Sequence, residues 1–146
     1  NSVLYLDLTG REWYIDAGDG DLPCGEIYIA PVEAKTNGSV FFKTFYLDDV
    51  KYTDVTLDIQ NGEVVDSDNA EIAKQFEKMP RENRIVCELG IGMNPNIKDL
   101  CGYTVLDEKK MGTFHIAVGE NTMFGGENKA NDHVDFVGYG EIEVVG

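Results

Sequence analysis

Apolar and polar residues alternate through Val55-Thr56-Leu57-Asp58-Ile59, stop at Asn61-Gly62 and resume at Val64-Val65. This is the period of a strand half-buried in a sheet, with a turn at the break. A two-residue type I′ turn needs positive φ at both central residues, and Asn-Gly meets that demand with little strain. Comparable short runs of Val, Ile, Tyr and Phe, separated by many of the 16 glycines, predict strands at 3–8, 12–15, 26–30, 39–47, 53–60, 85–89, 113–118, 133–137 and 141–145. One stretch changes period. Ile72, Ala73, Phe76 and Met79 recur at helical spacing, Asp68 is placed to cap the start with Glu71 three residues on, and Pro80 ends the run. An amphipathic helix packed on the sheet is predicted there, and a shorter helical turn is predicted after Pro95 with Asn94 as its cap.

The expected fold class is α+β, predominantly β, with mixed or antiparallel sheets and one or two short amphipathic helices. With 146 residues, 42% of them hydrophobic, the chain can build one sizeable core and not two, so 1–146 is expected to be a single domain. It enters on the strand-like Val3-Leu4-Tyr5-Leu6 without a polar lead-in, which suggests a domain cut from a longer protein.

Charge narrows the partners. A net charge of −15 repels phosphate backbones and anionic lipid surfaces, so neither nucleic acid nor membrane is expected as a partner. The apolar runs fall short of the roughly 20 residues a membrane helix requires, and no secretory signal is legible at the start. Cys24, Cys87 and Cys101 make an odd count without C-x-x-C spacing. That opposes a disulfide framework or a cysteine zinc site and suggests a reducing, cytoplasmic setting. Cys87, inside an apolar strand, is expected to be a buried inert thiol.

The remaining chemistry lies with histidines and carboxylates. In His133-Val134-Asp135 the two polar side chains are two apart on a predicted strand and project to one face, where they can chelate one ion. His115 alternates with Phe114, Ile116 and Val118 and so points away from an apolar row. Glu88 interrupts Ile85–Ile91, and Glu26 opens the run to Ala30. A carboxylate held in an apolar strand normally has a cationic or metal partner, because burying it alone is costly. Glu26, Glu88, His115, His133 and Asp135 form a plausible N/O set for zinc, cobalt or manganese, although surface or hydrogen-bonded strand residues would fit the isolated His-x-Asp equally well. Asp16-Ala17-Gly18-Asp19-Gly20-Asp21 lacks the ligand pattern of an EF-hand and is expected to be a solvated turn. Gly90-Ile91-Gly92 lacks the third glycine of a dinucleotide fingerprint, and no phosphate loop or nucleophile elbow occurs.

Several blocks resemble the aminopeptidase T/aminopeptidase S metallopeptidases. The stretch from Leu22 through Glu26 to Glu33 is similar to their LPDGEVFTAPVE, Glu88 to Ile97 to EFGIGTNPGI, and Leu106 to Gly119 to LDEKIGGTIHLALG. Gly125-Gly126 followed by His133-Val134-Asp135 resembles their GG…IHWD. The resemblance covers most of the chain and corresponds to the family's C-terminal, metal-binding portion. It implies one or two divalent ions held by Glu26, Glu88, His115, His133 and Asp135, and a metal-activated water that removes N-terminal residues from a peptide substrate. Glu88, or alternatively Glu108, would move the proton. It also implies a homodimer, and an N-terminal part that shapes the cleft and is not in this chain. One position departs from the pattern: Thr122 stands where the family has a tyrosine ligand, which weakens the case for the second ion unless Tyr103 or Tyr139 substitutes. An iron-dependent ring-cleaving oxygenase on the same scaffold, or a non-catalytic domain retaining the fold, are the competing expectations. Little or no turnover is expected of the chain by itself.

Overall fold

The computed structural model describes residues 2–19, 22–143 and 145. Its elements, in chain order, are β1 (Leu4–Tyr5), β2 (Tyr14–Asp16), β3 (Glu26–Ile29), β4 (Asn37–Leu47), β5 (Val50–Gln60), β6 (Glu63–Ser67), α1 (Ala70–Lys78), β7 (Val86–Gly92), α2 (Thr104–Asp107), β8 (Thr113–Gly119) and β9 (His133–Tyr139). They form two sheets, in the orders β1-β4-β5-β6 and β2-β3-β7-β8-β9, and every strand pair in them is antiparallel. The α+β, predominantly β class holds. No helix among the described residues is long and apolar enough to cross a membrane.

The Asn61-Gly62 hairpin forms between β5 and β6, with φ of 50° and 84° at its two turn residues. A second tight turn, at Asp48 and Asp49 with φ of 48° and 63°, lets β5 begin at Val50, three residues before the predicted strand. Asp tolerates this left-handed region better than most residues, which makes the turn possible without glycine.

In α1, Ile72 and Phe76 are buried four residues apart. Asn69 caps the helix, its side chain accepting from the amides of Glu71 and Ile72. The predicted cap, Asp68, instead accepts from Thr56 N across the sheet at 2.8 Å. Directly after Pro95 the chain makes a turn and not a helix. Asn94 bridges to Lys110; its side-chain Nδ2 donates to Cys24 O at 2.8 Å while its Oδ1 accepts from Asn96 N at 2.9 Å, a local cap-like contact from which no helix propagates. The first predicted strand shrinks to two residues. The last is absent over 141–143, and Val144 lies outside the described residues.

The core fills the space between the sheets and α1. Phe42 and Phe45 from β4 meet Phe136 from β9, with Phe45 and Phe136 stacked at 4.3 Å between centroids, and Phe76 packs edge-on against Phe136. Each such ring contributes roughly 1.5–3 kcal/mol by leaving water. On the five-stranded sheet the core row is Ile29, Leu89, Ile116 and Phe136, aligned across four strands. Strand alternation therefore directs Glu26, Glu88, His115 and Asp135 to the opposite face.

Candidate metal centre

A bulge on β7 makes that segregation possible. Val86 pairs with Val118 and Glu88 with Ala117, so two steps on β7 oppose one on β8. Val86 and Leu89, three apart, both enter the core, while Cys87 and Glu88 face the other way. Glycines then make room beside them. Tyr28, Gly90 and His115 lie in one register row, and the His115 ring occupies the space over Gly90. Over Gly92 passes the backbone of Lys110. The 108–111 segment is strapped down by Asn94 N donating to Lys109 O at 2.8 Å and Met111 N donating to Asn94 O at 3.1 Å.

Glu26, Glu88, His115 and, from the strap itself, Glu108 are buried. The Nε2 of His115 lies 3.1 Å from both Glu26 Oε2 and Glu88 Oε1. The other oxygen of Glu88 lies 3.2 Å from His133 Nε2, which is 3.4 Å from Asp135 Oδ1. Ligand atoms fall within 4.8 Å of one another in three groups: Glu26–Glu88–His115, Glu88–His133–Asp135 and Glu108–His115–Asp135. The five metal-site residues named from sequence, and Glu108, named there as the alternative proton carrier, thus meet in one cluster.

Burial opposes charge on both imidazoles and on Glu88, and their mutual attraction outweighs it. His115 is pushed up to about 10, because Glu26 and Glu88 outweigh the cost of burying its charge. His133 is raised further, by Asp135, Cys87 and Glu88 against burial. Against the same penalty, His115 and His133 hold the Glu88 carboxyl well below the usual range. Glu108 is pushed up to about 7, by burial first and by Asp135 next. The Cys87 thiol is raised to about 11 by burial and stays a thiol, as expected, although it lies at the centre and not in the core, 3.7 Å from His133 Nδ1.

The donor set suits a divalent cation. Glu26 Oε2 and Asp135 Oδ1 are buried without an aligned hydrogen-bond donor despite the imidazoles beside them, and a metal ion satisfies such oxygens without directional demands. His133 Nδ1 lies 2.8 Å from Glu120 O. With the proton on Nδ1, that contact leaves the Nε2 lone pair for an ion, the orientation role a neighbouring carbonyl commonly serves.

Lys109 escaped the sequence reading because Asp107-Glu108-Lys109-Lys110 looks like a solvated charge run. It is fully buried, 3.0 Å from Glu26 Oε1 and in contact with Glu108. Tyr28 also faces the centre. Burial and the charges of Glu88 and Glu26 raise its phenol, and its ring packs against Tyr14 and Phe124. The period-2 position of Tyr28 relative to Glu26 was the available signal. Thr122 starts a short 3₁₀ turn and turns its hydroxyl to Glu120. Tyr103 and Tyr139 are exposed, and Tyr139 lies beneath Lys110, so neither stands in for the absent tyrosine. Of the 16–21 acidic segment, Gly20 and Asp21 lie outside the described residues; Asp16 Oδ1 accepts from Gly18 N at 3.3 Å in a local turn.

A two-sheet domain with carboxylates and imidazoles gathered on one sheet face defines a candidate metalloprotein. The chain belongs to the thermophilic metalloprotease (M29) family, whose model it matches over residues 4–145. Several solved structures share the fold. AmpT from Thermus thermophilus is 18% identical with a TM-score of 0.72, the match covering 92% of this chain and 40% of that one. 2,5-Dihydroxypyridine dioxygenase from Pseudomonas putida KT2440 is 18% identical with a TM-score of 0.69, over 92% of this chain and 46% of that one. The chain thus spans less than half the length of either. No curated protein sequence gave a match.

Proposed function

We propose that this chain carries the metal centre of a metal-dependent aminopeptidase that removes N-terminal residues from peptides. The observation that supports this most is the division of Glu88 between two imidazoles, 3.1 Å from His115 through one oxygen and 3.2 Å from His133 through the other. A carboxylate so placed can bridge two cation positions, with Glu26 completing one and Asp135 the other. Zinc, cobalt or manganese ions bound there would supply Lewis acidity, polarising a peptide carbonyl and lowering the pKa of a water toward neutrality. Because Glu88 commits both oxygens, Glu108 is the better-placed carboxylate to carry the proton. It offers an oxygen within 4.8 Å of ligand atoms of His115 and Asp135.

The dioxygenase neighbour shares the fold, and two histidines with one carboxylate would suit iron. Among the described residues, however, each candidate group holds one histidine and never both, which favours the carboxylate-rich hydrolytic centre. In this proposal the cleft walls come from a further part of the polypeptide or a second copy in a homodimer, in a cytoplasmic setting. The deciding experiment is hydrolysis of an amino-acid anilide by the complete polypeptide, with Zn²⁺, Co²⁺ or Mn²⁺ added after metal removal. Metal-dependent turnover that vanishes in Glu88→Gln and Glu108→Gln is expected. Turnover without metal, or ring cleavage of a dihydroxypyridine with Fe²⁺ in its place, would overturn the proposal.

A further inference from the structure

The proposed hydrolytic centre leaves the buried ammonium of Lys109 without a role. Lys109 is 0% exposed, and its main chain is fixed by Lys109 N donating to Leu106 O and Asn94 N donating to Lys109 O. Its ammonium is held by Glu26 Oε1 at 3.0 Å and by Glu108. A buried ammonium survives only among anions, and here those anions are also candidate metal ligands. We propose that Lys109 is a resident cation of the centre and makes its metal positions unequal, so that Glu88–His133–Asp135 fills first and Glu26–Glu88–His115 binds more weakly.

The asymmetry follows from which carboxylates the ammonium shares. An ion at Glu26–Glu88–His115 must take an oxygen from the carboxylate that Lys109 already engages, and it sits close to a fixed positive charge in a site that water screens poorly. Glu108–His115–Asp135 carries the same handicap through Glu108. Lys109 makes no ion pair with Glu88, His133 or Asp135. Access points the same way. The His133 and Asp135 side chains keep 31% and 18% of their surface open, whereas His115 has none. Lys109 also neutralises part of the cluster of Glu26, Glu88, Glu108 and Asp135, which lets these acids stay close before any ion arrives.

This inference rests on the metal-centre proposal above, and a calorimetric titration of Zn²⁺ into the metal-free protein separates the two. The wild type is expected to show a tight and a weak binding event. Lys109→Met should tighten the weak event about ten-fold or more, by removing the competing charge, while the tight event changes little. Glu26→Gln should remove only the weak event and His133→Ala the tight one, a comparison that leaves Lys109 in place should the Lys109 variant fail to fold. Equal affinities in the wild type, loss of the tight event in Glu26→Gln, or weaker binding of both ions in Lys109→Met would overturn the inference with the metal centre intact. A wild-type protein that binds no Zn²⁺ would overturn both.

Discussion

A Cβ on Gly90 would stand 1.8 Å from Nε2 of His115. The imidazole reaches Glu26 and Glu88 only because β7 carries no side chain at that point. Gly90 has no positive φ to protect, so the whole penalty of substitution falls on space. Gly90→Ala is expected to push His115 off its 3.1 Å contacts with both glutamates and to weaken the Zn²⁺ event assigned to Glu26–Glu88–His115 at least about ten-fold, since ligand geometry tolerates little displacement. Calorimetry beside a circular-dichroism spectrum checks this. Unchanged affinity of that weaker event in a folded variant would mean that His115 is not a ligand.

Metal binding to the folded state alone must raise stability by mass action. At about 100 times the dissociation constant the gain is about 2.7 kcal/mol, visible as a rise in melting temperature. His133→Ala should abolish most of that rise, because the substitution removes the half-exposed ligand while leaving the core row Ile29, Leu89, Ile116 and Phe136 intact. Thermal scans with Zn²⁺, Co²⁺ and Mn²⁺ test the expectation, and an equal rise in the variant would rule His133 out.

The face carrying the centre was legible in the sequence, and most of its depth was not. Alternation alone places Glu26, Glu88, His115 and Asp135 opposite the core row, since each strand reports its own period. The bulge at Cys87 is invisible to that logic. It shifts the phase within β7, so both Val86 and Leu89 can be core residues. Lys109 and Glu108 sit in a run of charges whose burial depends on Asn94, which reaches them through a tertiary contact. Asn94 itself carried the local signal of a helix cap, just as Asp68 did one residue too early for α1. Asp68 turns instead to Thr56 N across the sheet, whereas Asn94 keeps its local contact with Asn96 N and is held by Cys24 and Lys110 besides.

Gly62 tests the part of the fold that was most legible. It has φ of +84°, and an added Cβ would meet the Glu33 carbonyl oxygen at 1.9 Å. Its amide donates to Thr36 O at 2.8 Å, and its carbonyl accepts from Val86 N at 2.7 Å, so the turn is clamped to the segments before β4 and at the start of β7. Gly62→Ala should cost roughly 2–4 kcal/mol through strain and overpacking together. Asn61→Gly, at the neighbouring turn position, should cost less than about 1 kcal/mol. Urea unfolding measures both, and equal losses would show that the turn itself, and not its contact with Glu33, limits stability.

Glu33 gives a pH-dependent expectation away from the centre. Its side chain accepts from Asn121 Nδ2 at 2.9 Å and Glu127 N at 2.7 Å, and pairs with Arg11 at 2.8 Å. Arg11 also holds Gly125 O, and Asn121 reaches Cys87 O at 3.0 Å. One carboxylate thus anchors the loop that presents Glu120 to His133. Burial raises its pKa, but the hydrogen bonds from Glu127 and Asn121 and the charge of Arg11 bring it below the ordinary 4.5. Because the folded value is depressed, the stabilisation is complete above the unfolded pKa and disappears as pH falls through the folded one. Glu33→Gln should therefore lower stability by about 1–3 kcal/mol at pH 7, and the gap from wild type should narrow steadily as pH drops below about 4.5. Urea unfolding of the metal-free protein across that range checks the sign. A gap that stays constant would show that Glu33 acts through shape and hydrogen bonding alone, with its charge contributing nothing.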